Sequence, residues 1–98
     1  MTNSSLTVAQ FLDLHIAVCG RTHQAIATDC GFANPRIIEM FRTGDTKVPI
    51  NIAGQLAIAI GKDPAALADL MMSEYMPDAW ATVKDIFPAL RGVFGVSA

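Results

Sequence analysis

The chain has 98 residues, of which 52% are apolar and 16% charged, and a formal net charge of −2. That length suits one domain burying roughly 65% of its unfolded surface, and the apolar excess leads us to expect a second subunit covering part of it. No apolar run reaches the ~18 residues of a membrane span, residues 1–6 lack the basic-then-apolar pattern of a secretory signal, and two cysteines are too few for a disulfide scaffold. The expected compartment is therefore the cytoplasm.

Thr7 caps a first helix whose apolar positions Val8, Phe11, Leu12, Ile16 and Cys19 recur at helical spacing, with Gly20 past its end. Thr22 caps a short second helix to about Cys30, with Ile26 and Ala27 inward and Gly31 as its stop. Asn34-Pro35 starts a third, because Asn accepts from the free amides of a first turn and proline sits where no amide partner is needed. It runs to about Arg42, and Gly44, Asp45 and Thr46 form the loop after it.

Val48-Pro49 leads into a fourth helix over about residues 51–60, closed by Gly61, and Asp63-Pro64 repeats the start signal for a fifth with Leu67, Leu70 and Met71 as its core stripe. A sixth covers about residues 78–87 and carries Trp80, Val83 and Phe87 before Pro88. No stretch alternates apolar and polar residues as a half-buried strand does. The expected fold is all-α, a compact bundle of five to six helices. Residues 1–91 form the single domain, residues 63–91 add a dimerisation surface, and residues 92–98 are expected to be a loose tail.

Charge is unevenly spread. Residues 21–47 hold Arg21, Arg36, Arg42 and Lys47 against Asp29, Glu39 and Asp45, a balance of +1, whereas the remainder holds three cations against six carboxylates. The overall sign argues mildly against nucleic acid as a partner, since phosphate neutralisation supplies most of such affinity, but the middle of the chain is its relatively basic part.

That middle stretch, THQAIATDCGFANPRIIEMFRTG at residues 22–44, resembles the helix-turn-helix of the lambda-repressor-like (Cro/CI, XRE) family. Thr22 stands as the polar cap, Ile26 and Ala27 at the tightly packed positions, Gly31 in the turn, and Ile37 and Met40 as anchors of the second helix. A small residue such as Ala27 suits two helices joined by a turn of about three or four residues, which approach closely only over a short side chain. The resemblance continues to Met71, where GDTKVPINIAGQLAIAIGKDPAALADLMM looks like the family's last two helices; Ala33, Phe41 and the position of Gly44 depart from its pattern.

The resemblance implies a lambda-repressor-like bundle with its helix-turn-helix at helices two and three, the latter reading a major groove of double-stranded DNA. At about 100° of rotation per residue, Ile37, Met40 and Phe41 are expected to face the core, opposite Pro35, Glu39 and Arg42, with Arg36 and Thr43 on one flank and Ile38 on the other. The expected base-reading residues are Asn34, Arg36, Ile38 and Glu39. Arg36 suits a guanine edge, Glu39 a cytosine amino group and Ile38 a thymine methyl. Arg21, His23, Gln24, Arg42, Thr43 and Lys47 are expected at the backbone or outermost bases. Plainer roles compete: Asn34 can spend its side chain as a cap, and Arg36 and Glu39 can pair with each other.

Met72, Tyr75, Met76, Trp80 and Phe87 supply more large apolar groups than one small core needs, and are assigned to an isologous homodimer contact. Such a dimer would set two reading helices ~34 Å apart on a near-palindromic operator. Cys19, His23 and Cys30 match no zinc spacing. Gly61-Lys62 lacks a phosphate loop's earlier glycine and following hydroxyl, and His15 sits beside the apolar stripe of helix one. No metal, cofactor or enzymatic activity is expected. The function expected is a sequence-specific transcriptional regulator, acting as a dimeric repressor. The alternatives are the antitoxin of a toxin–antitoxin pair, with the acidic carboxyl-terminal half holding a basic protein partner, and a helical protein-interaction module without DNA binding.

Overall fold

Six α-helices and one short 3-10 turn follow one another in the computed structural model, which describes residues 6–87. Residues 1–5 and 88–91 of the expected domain, and the expected tail at 92–98, lie outside the described residues. The helices are α1 (Val8–Val18), α2 (His23–Asp29), α3 (Arg36–Thr43), α4 (Ala53–Ala59), α5 (Pro64–Tyr75) and α6 (Pro77–Ile86), with the 3-10 turn at Ile50–Ile52 leading into α4. The described residues contain no strand, so the fold is all-α as the periodicity predicts.

Local chemistry explains where the helices begin. The Thr7 side chain accepts from the Gln10 amide while the Gln10 side chain accepts from the Thr7 amide, a complete capping box. Thr22 accepts from the Ala25 amide and Asp63 from the Ala65 amide, each satisfying one orphan donor of a first turn. One cap comes from far along the chain: Glu74 on α5 accepts from the Val8 amide at 2.6 Å, a carboxylate on the amino end of α1. The fourth helix is entered through the 3-10 turn, with Pro49 extended before it and no side-chain cap.

The core is one cluster in which Leu12, Ile26, Ile38, Phe41, Leu56, Leu67 and Met71 are closed off from solvent. α1 packs on α3 and α4 on α5, while α2 bridges to both α3 and α4 and α6 lies along α5. None of the described buried residues is polar or charged, so no charged side chain is desolvated in the core. No described helix is long and apolar enough to cross a membrane.

Candidate nucleic-acid interface

The turn between α2 and α3 is set by Gly31, whose φ of 86° lies in the left-handed region. The Phe32 amide donates to the Ala27 carbonyl at 2.8 Å and the Gly31 amide to the Thr28 carbonyl at 3.1 Å, the paired bonds of a Schellman end. Gly61 closes α4 in the same way, with the Lys62 amide on the Ala57 carbonyl. Fully buried Ala27 leaves room for the chain to double back, and Phe32 then packs edge-on against Phe41 of α3. α3 thus leaves the turn already tied to α2.

α3 is rotated from the orientation expected from its sequence. Ile38 is 0% exposed and Phe41 1%, while Ile37 and Met40 are half-buried. The buried direction is therefore turned by roughly 75° toward Ile38 at 100° per residue. This corrects the assignment of Ile38 to base reading: its side chain fills the core and reaches no groove. The cause is tertiary. Ile37, Ile38, Met40 and Phe41 make one wide apolar arc, and the bundle, with α1 and α2 both packed on α3, buries its Ile38 and Phe41 side.

The rotation leaves Arg36, Glu39 and Thr43 exposed, and no ion pair joins Arg36 to Glu39 among the described residues. Both line an open depression of about 450 Å³ together with His23, Gln24, Asn34 and Pro35, so the residues expected at base edges and those expected at the backbone share one surface. Asn34 is spent as a cap, its Oδ1 accepting from the Arg36 amide at 2.9 Å. Gln24 donates to Thr28, and the Thr43 hydroxyl donates to the Met40 carbonyl.

Two of the cations expected at phosphates, Arg21 and Arg42, are held by carboxylates within the chain. Arg21 pairs with Asp29 at 2.6 Å and donates to the Ala59 carbonyl, tying the α1–α2 loop to the end of α4. Arg42 is held by Asp13 of α1 and lies 2.9 Å from the His23 ring. Lys47 stands 5.3 Å from the centre of the Tyr75 ring. Asp13 has no signature in the sequence, since nothing local relates it to a residue 29 positions away.

The expected dimer residues divide into two groups. Trp80 is buried, its indole nitrogen donating to Asp69 at 2.7 Å, and Tyr75 is half-buried with its hydroxyl accepting from the Val48 amide. Burial raises the Tyr75 pKa above its ordinary value. These two are corrected to internal packing, α6 onto α5 and α5 onto the α3–α4 connection. Met76 and Phe87 are exposed and Met72 half-buried, and Ile86, missed in the sequence, is 63% exposed beside Phe87. Met76, Ala79, Val83, Ile86 and Phe87 lie on one side of α6, an apolar arc flanking Trp80.

Other chemistry finds little here. Cys30 is buried, and burial pushes its thiol pKa up, against use as a nucleophile; Cys19 is half-buried at the end of α1. Among the described residues no group of three or more His, Cys, Asp or Glu side chains converges as a metal site requires. A groove of about 720 Å³ lies between the start of α1 and α5, but two of its carboxylates are occupied, Glu74 by the Val8 amide and Asp69 by Trp80 and Lys84. Compared with known proteins, the chain matches no family model, no curated protein and no solved structure. The fold defines a small all-α bundle with a short-turn helix pair exposing polar residues on its second member.

Proposed function

We propose that this chain is a sequence-specific DNA-binding transcriptional regulator of lambda-repressor-like character, a cytoplasmic homodimer that represses by occluding a promoter with α3 in the major groove. The observation that carries this reading is the exposed, unpaired Arg36 and Glu39 on the outer face of a helix tied to its neighbour by a short turn. A guanidinium there presents two donors to a guanine edge, and a carboxylate one turn on accepts from a cytosine amino group. The exposed arc of Met76, Ile86 and Phe87 supports a two-fold partner, which a near-palindromic operator requires. No cofactor or catalytic step belongs to this function.

A helical protein-interaction module is the second reading, favoured by the internal engagement of Arg21 and Arg42 and by that same apolar arc. Salt dependence separates the two. With Lys47 of each protomer as the remaining cation for the backbone, a dimer neutralises about two phosphates, and the slope of log affinity on log salt is near −1.8. A flat dependence would leave the interaction module.

A further inference from the structure

We propose that Arg42 does not itself touch DNA but sets His23 as a hydrogen-bond donor to one backbone phosphate, an inference that rests on the DNA-binding reading above. Three helices meet at this point, with Asp13 on α1, His23 opening α2 and Arg42 near the end of α3. Arg42 Nε donates to Asp13 Oδ1 at 2.9 Å, Nη2 lies 2.9 Å from the same oxygen, and Nη2 also donates to the Asp13 carbonyl at 3.4 Å. These bonds fix the plane of the guanidinium. Its remaining nitrogen, Nη1, lies 2.9 Å from His23 Nε2.

A guanidinium has only donors. Nε2 is therefore the acceptor, and the proton of the neutral ring sits on Nδ1. No described residue pairs with Nδ1. His23 is half-buried and lines the depression with Gln24, Arg36 and Glu39, whereas Arg42 does not line it. What the ring offers a ligand is a donor and no acceptor, which suits a phosphate oxygen. Arg42 is thus a positioning residue: its charge is spent on Asp13, and its effect reaches DNA through the imidazole.

The test combines long-range imidazole nitrogen–proton correlation on the free full-length chain with a double-mutant cycle. At about pH 8.5, where an imidazole is neutral, wild-type His23 is expected to carry its proton on Nδ1. Arg42→Met, which keeps the aliphatic stem and removes every donor, is expected to move that proton mainly to Nε2. Against a duplex of arbitrary sequence and about two helical turns (~20 base pairs) at low salt, His23→Ala and Arg42→Met should each lose roughly tenfold in affinity, and the double variant no more than either alone. An Nε2-protonated ring in the free wild-type protein overturns the relay whatever the duplex does, and needs no variant to fold. Additive losses, roughly a hundredfold in the double variant, overturn it by giving Arg42 a phosphate of its own. The Nδ1 tautomer with no binding to any duplex overturns the phosphate assignment together with the DNA-binding reading.

Discussion

Replacing Ile38 distinguishes a core residue from a base-reading one, and the structure fixes the expected size of the effect. Ile38→Ala removes three carbons from a side chain with no solvent exposure. At ~0.8 kcal/mol per buried methylene-sized group the transfer loss is about 2.4 kcal/mol. The cavity left beside Phe41 and the α1 stripe raises the total to about 3–4 kcal/mol. At about 4–8 °C per kcal/mol for a domain of this length, the melting temperature should fall by about 12–32 °C. Ile38→Val, losing one carbon, should cost only ~1 kcal/mol. Urea denaturation followed by far-ultraviolet circular dichroism gives both values. If Ile38→Ala were as stable as wild type while its DNA preference relaxed at one base pair, the burial of Ile38 and the rotation of α3 would both be refuted.

Three further outcomes are expected. Arg36→Ala should relax preference at one base position at a cost of about 1–3 kcal/mol, whereas Lys47→Ala should weaken all sequences alike; binding to a panel of single-base variants checks this, and identical profiles would contradict the roles assigned. Gly31→Ala meets no neighbouring atom, so its cost is conformational alone, about 1–2 kcal/mol from the left-handed backbone, measurable as a shift in urea midpoint. Burial of His15 against Phe11, with Lys62 as the smaller influence, lowers its pKa from the ordinary 6.5. The unfolded chain then takes up the proton first, so this contribution to stability is full above pH 6.5 and is lost as pH falls through the lower folded-state value. His15→Gln should flatten the stability profile below about pH 6.5, and an unchanged slope would remove His15 from the explanation.

What could be read from the sequence was what neighbouring residues decide among themselves. Thr7, Thr22 and Asp63 accept from amides two or three residues ahead, and Gly31 and Gly61 take left-handed conformations at their own helix ends, so order, number and termini of the helices follow from local chemistry. Arg36 and Glu39 were legible as outward because they are polar residues on the far side of an apolar arc. The rotation of α3 was not, since that arc is wide enough to admit several inward directions and packing against other helices selects among them. Long-range polar contacts were hidden for the same reason: Asp13 holds Arg42, Glu74 caps α1 and Tyr75 meets the Val48 amide, each across a stretch of chain with no local signature. Tyr75 and Trp80 looked like surplus aromatics because their polar atoms had no visible partner in the sequence, and those partners draw them into the fold.

The most direct measurement is repeated selection of the purified full-length protein against a pool of random duplexes, with Arg36→Ala carried in parallel. A regulator reading the groove with α3 should enrich a near-palindromic motif whose half-sites lie about 10–10.5 base pairs apart, and Arg36→Ala should lose one guanine from each half. A pool that stays random with the wild-type protein, or a motif that Arg36→Ala leaves intact, would contradict it.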